Sequence, residues 1–131
     1  MRLLITLLIA SITISFADVF REGSLQGRSD GNNVIVQWGS KDESLVKEYK
    51  IERRSGTTGE FITIGIVRKK GSNSYYEYID RTAFKSTGSI YQYRIHCVSF
   101  SGGAEISSII TISHNVSSVK RTWGSLKAMF R

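Results

Sequence analysis

Residues 91–97, YQYRIHC, alternate apolar and polar side chains without a break. Successive side chains of a β-strand point to opposite faces, so Tyr91, Tyr93, Ile95 and Cys97 are expected to share one buried face. Strict alternation of this kind is typical of a half-buried strand, whereas the apolar positions of a helix recur every three or four residues. The segment therefore predicts a strand with one side against a core.

The same alternation recurs in shorter runs, which are separated by Gly, Ser, Asn and Asp. Val34, Val36 and Trp38 share one face of the first run, and the alternating residues of the next runs are Tyr49, Ile51 and Arg53, then Tyr76 and Tyr78. The run from Phe61 to Val67 is apolar on both faces, so its register cannot be assigned from the pattern. Ile106 to Ile112 is predicted to be the last strand. Six or seven short strands without a convincing helix predict an all-β, antiparallel sandwich.

These residues resemble a fibronectin type III domain of the kind found in secreted bacterial proteins. The resemblance spans roughly residues 19–112 and rests on Val34-x-Val36-x-Trp38, Tyr49-x-Ile51, Tyr91-x-Tyr93-x-Ile95-x-Cys97 and Gly102-Gly103. It implies an immunoglobulin-like sandwich in which Trp38 fills the core between two sheets. It also implies that the hydroxyl of Tyr91 bonds the backbone where the chain crosses between the sheets. The family implies a binding or spacer module and has no catalytic site to transfer.

The first 17 residues are expected to be a secretory signal peptide. Arg2 precedes an apolar run from Leu3 to Ile14, and the small residues Ser15 and Ala17 follow it. The run is shorter than the roughly 20 residues that a membrane-spanning helix needs. The sequence therefore predicts a signal peptide at 1–17, the sandwich at 18–112 and a tail at 113–131. The product is expected to be secreted, at the cell surface or in the periplasm.

Groups that could carry chemistry are few. Cys97 is the only cysteine, and its place in the alternating strand predicts a buried thiol that resists reagents until unfolding. Its neighbour His96 should point to the opposite face, so the two cannot form a thiol–base pair. We expect His114 to lie outside the sandwich, and Asp42 and Glu43 to belong to a solvated charged loop. The sequence predicts no catalytic site, metal site or cofactor.

The chain is basic, with 18 Lys and Arg against 11 Asp and Glu and a net charge of +7. Removing Arg2 with the signal peptide leaves 17 against 11, or +6. Five cations are predicted to lie near one pole of the sandwich, namely Lys47, Lys50, Arg68, Lys69 and Lys70. They could form a basic patch for an acidic surface polymer or for membrane headgroups, or they could serve only to solubilise the strand edges. Nucleic acid is not an expected partner, because export separates the chain from it.

The tail combines aromatic and basic residues and has no acidic residue. A short helix from about Thr122 would place its apolar side chains at spacings of three and four on one face, with two cations offset from it. The tail residues that could dock in this way are Trp123, Leu126, Lys127, Met129, Phe130 and Arg131. The tail could fold back over the sandwich, act as a ligand or sorting signal for a protein partner, or lie in a membrane interface.

These features predict a non-catalytic secreted or cell-surface binding, adhesion or scaffold module that is attached or sorted through its tail. Its expected partner is a protein or a cell-surface polymer. One alternative is a periplasmic structural or assembly subunit of an envelope complex, joined by the tail or by strand pairing. Another is a carbohydrate-binding module, in which an exposed Tyr75 would stack on a sugar.

Overall fold

The computed structural model describes residues 19–83 and 89–114, and these residues form eight β-strands and no α-helix. The strands are β1 (Gln26–Ser29), β2 (Val34–Gly39), β3 (Val46–Ser55), β4 (Ile62–Arg68), β5 (Tyr75–Asp80), β6 (Ile90–Ser99), β7 (Ala104–Ile106) and β8 (Ile110–Ser113). The predicted signal peptide and nearly all of the predicted tail, including Trp123, Leu126, Lys127, Met129, Phe130 and Arg131, lie outside the described residues. Within the described ranges, no helix has the length and apolar character needed to cross a membrane.

The strands form two antiparallel sheets. The smaller sheet has the order β1-β2-β5. The larger sheet has the order β4-β3-β6-β7, and β8 also pairs directly with β6, at a different part of that strand from β7. All strand pairs are antiparallel, which confirms the predicted all-β sandwich.

The inner faces of the two sheets form one core, and they are the faces that the alternation predicted. Tyr91, Tyr93, Ile95 and Cys97 of β6 are at most 1% exposed. Their counterparts in β2 and β3 are also buried, namely Val34, Val36, Trp38, Tyr49 and Ile51. The indole of Trp38 stacks on the Tyr76 ring at 5.1 Å between centroids, with an interplanar angle of 6°. Because each strand contributes side chains to the core at every second position, both sheets depend on the same packing.

The connection between β5 and β6 is fixed by Tyr91. Its hydroxyl donates to the backbone carbonyl of Ala83, which is itself buried. This is the bond that the resemblance implied for this tyrosine, and it ties β6 of the larger sheet to the segment that leaves the smaller one.

The edge strand β4 contains an irregularity that the sequence pattern could not place. Its pairing with β3 shifts beside Ile51, so that Ile64 is an extra residue between the pairs Ile51–Gly65 and Glu52–Thr63. The Tyr78 ring crosses from the smaller sheet to cover Gly65, and its hydroxyl donates to the Ile64 carbonyl at 2.9 Å. A Cβ at Gly65 would lie 2.4 Å from that ring, so the close approach requires glycine here.

The prediction of one last strand from Ile106 to Ile112 is wrong, because the strand is interrupted between β7 and β8. At the break, the Ser107 amide donates to the Ile95 carbonyl at 2.9 Å, and the Ile95 amide donates to Ser107 Oγ at 2.8 Å. The serine side chain therefore replaces a backbone acceptor and lets the strand bend without leaving these groups of β6 unpaired.

Candidate binding surface

One buried polar network surrounds Asp80, which ends β5 and is 2% exposed. Its Oδ2 accepts hydrogen bonds from Arg53 Nη1 at 2.7 Å and from the Tyr93 hydroxyl at 2.6 Å. Its Oδ1 accepts from the amide and the hydroxyl of Thr82, at 2.9 and 2.8 Å. Arg53 itself is only 9% exposed. Each carboxylate oxygen therefore has two donors, and the charge of Asp80 is paired. Since Asp80 belongs to the smaller sheet and Arg53 and Tyr93 belong to the larger one, the network ties the two sheets together.

The pKa of Asp80 reflects two opposed effects. Burial alone raises it, but the hydrogen bonds from Tyr93, Arg53 and Thr82 together outweigh burial and hold the pKa below its ordinary value. The carboxylate is therefore ionised at neutral pH. A group with this pKa is poorly suited to transfer protons near neutrality.

A second buried carboxylate belongs to Glu43, in the loop between β2 and β3. The prediction of a solvated charged loop is right for Asp42, which is exposed, and wrong for Glu43, which is 2% exposed. Glu43 Oε1 accepts from the Ser40 hydroxyl at 2.6 Å, and both carboxylate oxygens lie 2.8 Å from the Tyr76 hydroxyl. The loop folds inward because these hydroxyls replace the water that the carboxylate loses.

The hydroxyl of Tyr76 connects this loop to the next one. It donates toward Glu43 and accepts from the Lys70 amide at 2.7 Å. Burial, opposed by the Lys70 bond and reinforced by the Glu43 carboxylate, raises the pKa of Tyr76 to about 12. The phenol therefore keeps its proton across the physiological pH range, and Glu43 keeps its donor.

Cys97 and His114 also serve packing. Cys97 is fully buried, and burial, followed by the carboxylates of Glu105 and Glu43, raises its pKa to about 12. Reactive cysteines are thiolates, so this thiol is inert in the folded domain. The expectation that His114 lies outside the sandwich is wrong, because the residue is fully buried after β8 and its Nδ1 lies 2.5 Å from Ser29 Oγ. With the imidazole enclosed, this contact joins β1 to the end of β8.

Among the described residues, no group of three or more His, Cys, Asp or Glu could hold a metal ion. Asp80, Glu43, Cys97 and His114 are all enclosed within the domain, so none of them is presented to solvent. A binding function must therefore use the outer faces of the sheets or the loops.

The outer face of the larger sheet carries a compact set of polar side chains. Arg94 Nε lies 2.7 Å from Glu52 Oε1, and His96 lies on the same face with its Nδ1 3.4 Å from Glu52 Oε2. The guanidinium carbons of Arg94 and Arg54 lie 4.0 and 4.6 Å from the centroid of the Phe61 ring. The cations here are engaged with their own neighbours, so this face is internally paired.

The five cations of the predicted basic patch have different neighbours in the structure. Lys50 of β3 is paired with Ile66 of the edge strand β4, and Arg68 of β4 is paired with Glu48, the residue after Lys47. Lys69 Nζ donates to the Glu43 carbonyl at 3.4 Å and lies 5.0 Å from the centroid of the Phe100 ring. Lys70 Nζ donates to the Tyr75 carbonyl at 2.8 Å. Binding of an acidic polymer by these residues stays a prediction.

The outer face of the smaller sheet presents a different arrangement, which we call the Tyr75 surface: Tyr75, Gln26, Gln37, Glu77, Arg21 and Lys70. The side chain of Tyr75 points outward, and the residue is 70% exposed. Gln26 pairs with Gln37, and Gln37 pairs with Glu77, so three exposed planar polar side chains form a row across the three strands. Gln37 Nε2 donates to Glu77 Oε2 at 2.9 Å. This row was not visible in the sequence, because it depends on the register of three separate strands.

The segment before β1 forms one wall of a cleft beside Tyr75. The Arg21 amide donates to the Gly39 carbonyl at 2.9 Å. The Ser24 hydroxyl donates to the Arg21 carbonyl at 2.6 Å and accepts from the Gly39 amide at 2.9 Å. The guanidinium carbon of Arg21 lies 5.8 Å from the Tyr75 ring centroid. The wall is therefore bonded to the end of β2, and the surface is held on a rigid sheet.

No protein-family model matches the chain, and no curated protein matches it in sequence. Solved structures do match it. An Fn3-like protein from Clostridium thermocellum has a TM-score of 0.51 and 22% identity, over 72% of this chain and 91% of that chain. Since identity is this low, the similarity concerns the fold, and the chain has an Fn3-like β-sandwich fold.

Two other matches are to parts of larger enzymes. The pectate lyase PelI from Erwinia chrysanthemi, in complex with tetragalacturonic acid, has a TM-score of 0.54 and 19% identity, over 67% of this chain and 27% of that chain. A family 76 glycoside hydrolase from a bovine Bacteroides thetaiotaomicron strain has a TM-score of 0.56 and 18% identity, over 75% of this chain and 20% of that chain. The match thus covers about a quarter of the length of the pectate lyase chain and a fifth of the length of the glycoside hydrolase chain.

Proposed function

We propose that this protein is a non-catalytic binding or adhesion module that acts in secreted form or at the cell surface, and that it contacts its partner through the Tyr75 surface. The observation that carries the proposal is the exposure of Tyr75, 70% on a rigid sheet and beside a row of polar side chains. Large aromatic rings anchor many binding surfaces, because they bury much area and lose little conformational freedom.

The distribution of polar groups supports a binding role over a catalytic one. Asp80, Glu43 and Cys97 are each buried, and neighbouring side chains bond the two carboxylates within the domain. Catalysis requires such groups within reach of a substrate in a cleft. On the Tyr75 surface, the side chains offer stacking and hydrogen bonding instead.

The compartment in this proposal rests on the sequence of residues 1–17, and attachment through the tail rests on the aromatic and basic residues between Trp123 and Arg131. Two functions are therefore separated along the chain. The sandwich recognises a partner, and the tail retains or sorts the protein.

The experiment that tests the proposal compares three forms of the protein in fractionated cells. They are the full-length wild type, a chain truncated after Ser118, and full-length Tyr75→Ala. The control is Phe100→Ala, because Phe100 is an equally exposed aromatic, at 68%, outside the Tyr75 surface. We expect the truncated chain to be released into the medium. Tyr75→Ala should remain attached and lose its partner in pull-down, while Phe100→Ala should behave as wild type.

Two outcomes would overturn the proposal. Wild-type protein found in the cytoplasm would contradict the proposed secreted or cell-surface location. Equal partner capture by Tyr75→Ala and wild type would contradict the proposed role of the Tyr75 surface in binding. Constant co-purification of all four forms with one envelope complex would favour a periplasmic assembly subunit instead.

A further inference from the structure

We infer that the Tyr75 surface binds a neutral polysaccharide, with one sugar ring stacked on Tyr75 and its hydroxyl groups bonded to Gln26, Gln37 and Glu77. This inference rests on the proposed binding function and adds the chemical class of the ligand. It follows from the ring, from the row of polar groups and from the balance of charge around them.

The Tyr75 ring is suited to stacking against a sugar. The face of an aromatic ring is electron-rich, and the C–H groups on one side of a pyranose ring are weakly positive, so the two surfaces attract each other. The guanidinium carbon of Arg21 lies 5.8 Å from the ring centroid, and Lys70 Nζ donates to the backbone carbonyl of Tyr75. Even with these contacts, the residue remains 70% exposed, which leaves area for a ligand.

The polar row supplies the groups that hydroxyls require. An amide has both donors and an acceptor, and a carboxylate has only acceptors, so Gln26, Gln37 and Glu77 can accept from and donate to sugar hydroxyls. Neighbouring strands lie about 4.8 Å apart, so a row over three strands extends for about 10 Å. That length fits consecutive sugar residues of a chain better than a single ring. The Gln37–Glu77 bond orients two of the three side chains before any ligand arrives.

The charges around the cleft favour a neutral ligand. Two cations, Arg21 and Lys70, and two acids, Glu22 and Glu77, line the same cleft. A uronate-rich polymer would meet both signs and gain little net attraction, whereas an uncharged polymer loses nothing. Binding at this surface is therefore expected to be insensitive to salt. Binding of an acidic polymer to the predicted basic patch would weaken steeply as salt rises.

The test is affinity electrophoresis of the full chain, produced in an exporting host, in gels that contain one soluble polysaccharide each. The probes are neutral β-glucan, galactan, mannan and xylan, with polygalacturonate as the anionic probe. The variants are Tyr75→Ala and Gln37→Ala, with Phe100→Ala as the matched control. Thermal unfolding of each variant checks that it is folded.

We expect at least one neutral polysaccharide to retard wild type and Phe100→Ala equally. Tyr75→Ala should lose about tenfold in affinity and Gln37→Ala several-fold. The retardation should stay constant between about 0.05 and about 0.5 M NaCl.

The ligand class is overturned if none of the four neutral polysaccharides retards the wild type, or if only polygalacturonate does so in a salt-sensitive way. It is also overturned if folded Tyr75→Ala is retarded as strongly as wild type. Loss of cell-partner capture by Tyr75→Ala together with no polysaccharide binding would leave the proposed function standing and exclude this ligand. If the protein bound a polysaccharide but stayed in the cytoplasm of its own cells, the ligand class would stand and the proposed secreted or cell-surface function would be excluded.

Discussion

Two buried carboxylates, those of Asp80 and Glu43, lie at opposite ends of the sandwich and are stabilised in different ways. Asp80 pairs with Val34 at one end of the β2–β5 ladder, and the Glu43 loop packs against Tyr76 at the other end. Asp80 has a guanidinium partner within 2.7 Å. The Glu43 carboxylate instead accepts hydrogen bonds from the hydroxyl groups of Ser40 and Tyr76.

The difference shows that burial of an acid in this fold does not depend on one kind of partner. At the Asp80 end, the carboxylate accepts four hydrogen bonds, and the two from Arg53 and Tyr93 connect the smaller sheet to the larger one. At the Glu43 end, the aromatic packing of Trp38, Tyr49 and Tyr76 holds the hydroxyl that the acid needs. The first end should therefore depend on charge, and the second on packing.

Trp38→Ala should have the largest effect, because it removes the ring that stacks on Tyr76 at the Glu43 end. We expect the free energy of unfolding to fall by about 4 kcal/mol, as for other large-to-small changes of buried aromatics. Urea denaturation at pH 7 measures it. A loss below about 1 kcal/mol would mean that packing does not support that end.

Asp80→Ala should cost about 3 kcal/mol, because it leaves the Arg53 guanidinium buried without its carboxylate. The value lies at the lower end of the range for broken buried pairs, since Arg53 keeps its bond to Thr82 and its contact with the Tyr91 ring. Asp42→Ala is the control, because Asp42 is exposed and its loss should change stability by less than about 0.5 kcal/mol. Equal unfolding curves for the two variants would contradict the role of the pair.

Acid should weaken the Asp80 end by a smaller amount than Asp80→Ala does. The pKa of Asp80 is lower in the folded protein than in the unfolded chain, so its contribution is present above the unfolded value of about 3.9 and is lost as pH falls through the folded value. Urea denaturation at pH 7 and at about pH 3 measures the loss. In Asp80→Asn, which cannot titrate, the difference between the two pH values should be smaller. A pH dependence unchanged from wild type would exclude this group as its source.

Glu43→Gln should have the smallest effect, about 1 kcal/mol. The amide keeps an acceptor for Ser40 or Tyr76 and loses the stronger bonds that a charged acceptor makes. Glu43→Ala gives the contrast, because it leaves both hydroxyls without this acceptor and should cost more. If Glu43→Gln destabilised the domain as much as Asp80→Ala, the two ends would not differ in the way described here.

The sequence predicted the parts of this fold that depend on local alternation. The inner faces of β2, β3 and β6, the burial of Cys97 and the bond of Tyr91 to the backbone follow from a period of two and from a family resemblance. The burial of Glu43 did not follow, because Tyr76, which holds it, lies 33 residues away in the sequence. The interruption at Ser107 depends likewise on a hydrogen bond to Ile95 in another strand.

Of the Tyr75 surface, only Tyr75 itself was predicted from the sequence as a residue that could bind a sugar. Tyr75 stood out as an aromatic on a strand that could contact a sugar, but three of its polar neighbours, Gln26, Gln37 and Arg21, come from β1, β2 and the segment before β1. Their juxtaposition depends on register, which the turns and the core determine together. The predicted tail could not be compared with a structure, because residues 115–131 lie outside the described residues.

Because of its position, the only cysteine of the sequence can report when the two sheets separate. Cys97 lies in the central strand β6 and contacts water only when the two sheets separate, so fraying of a loop or an edge leaves it protected. With a single cysteine in its sequence, the sandwich forms no internal disulfide and needs no oxidant to fold. The labelling of Cys97 by a thiol reagent should therefore follow global unfolding, and a reductant should leave the stability of the domain unchanged.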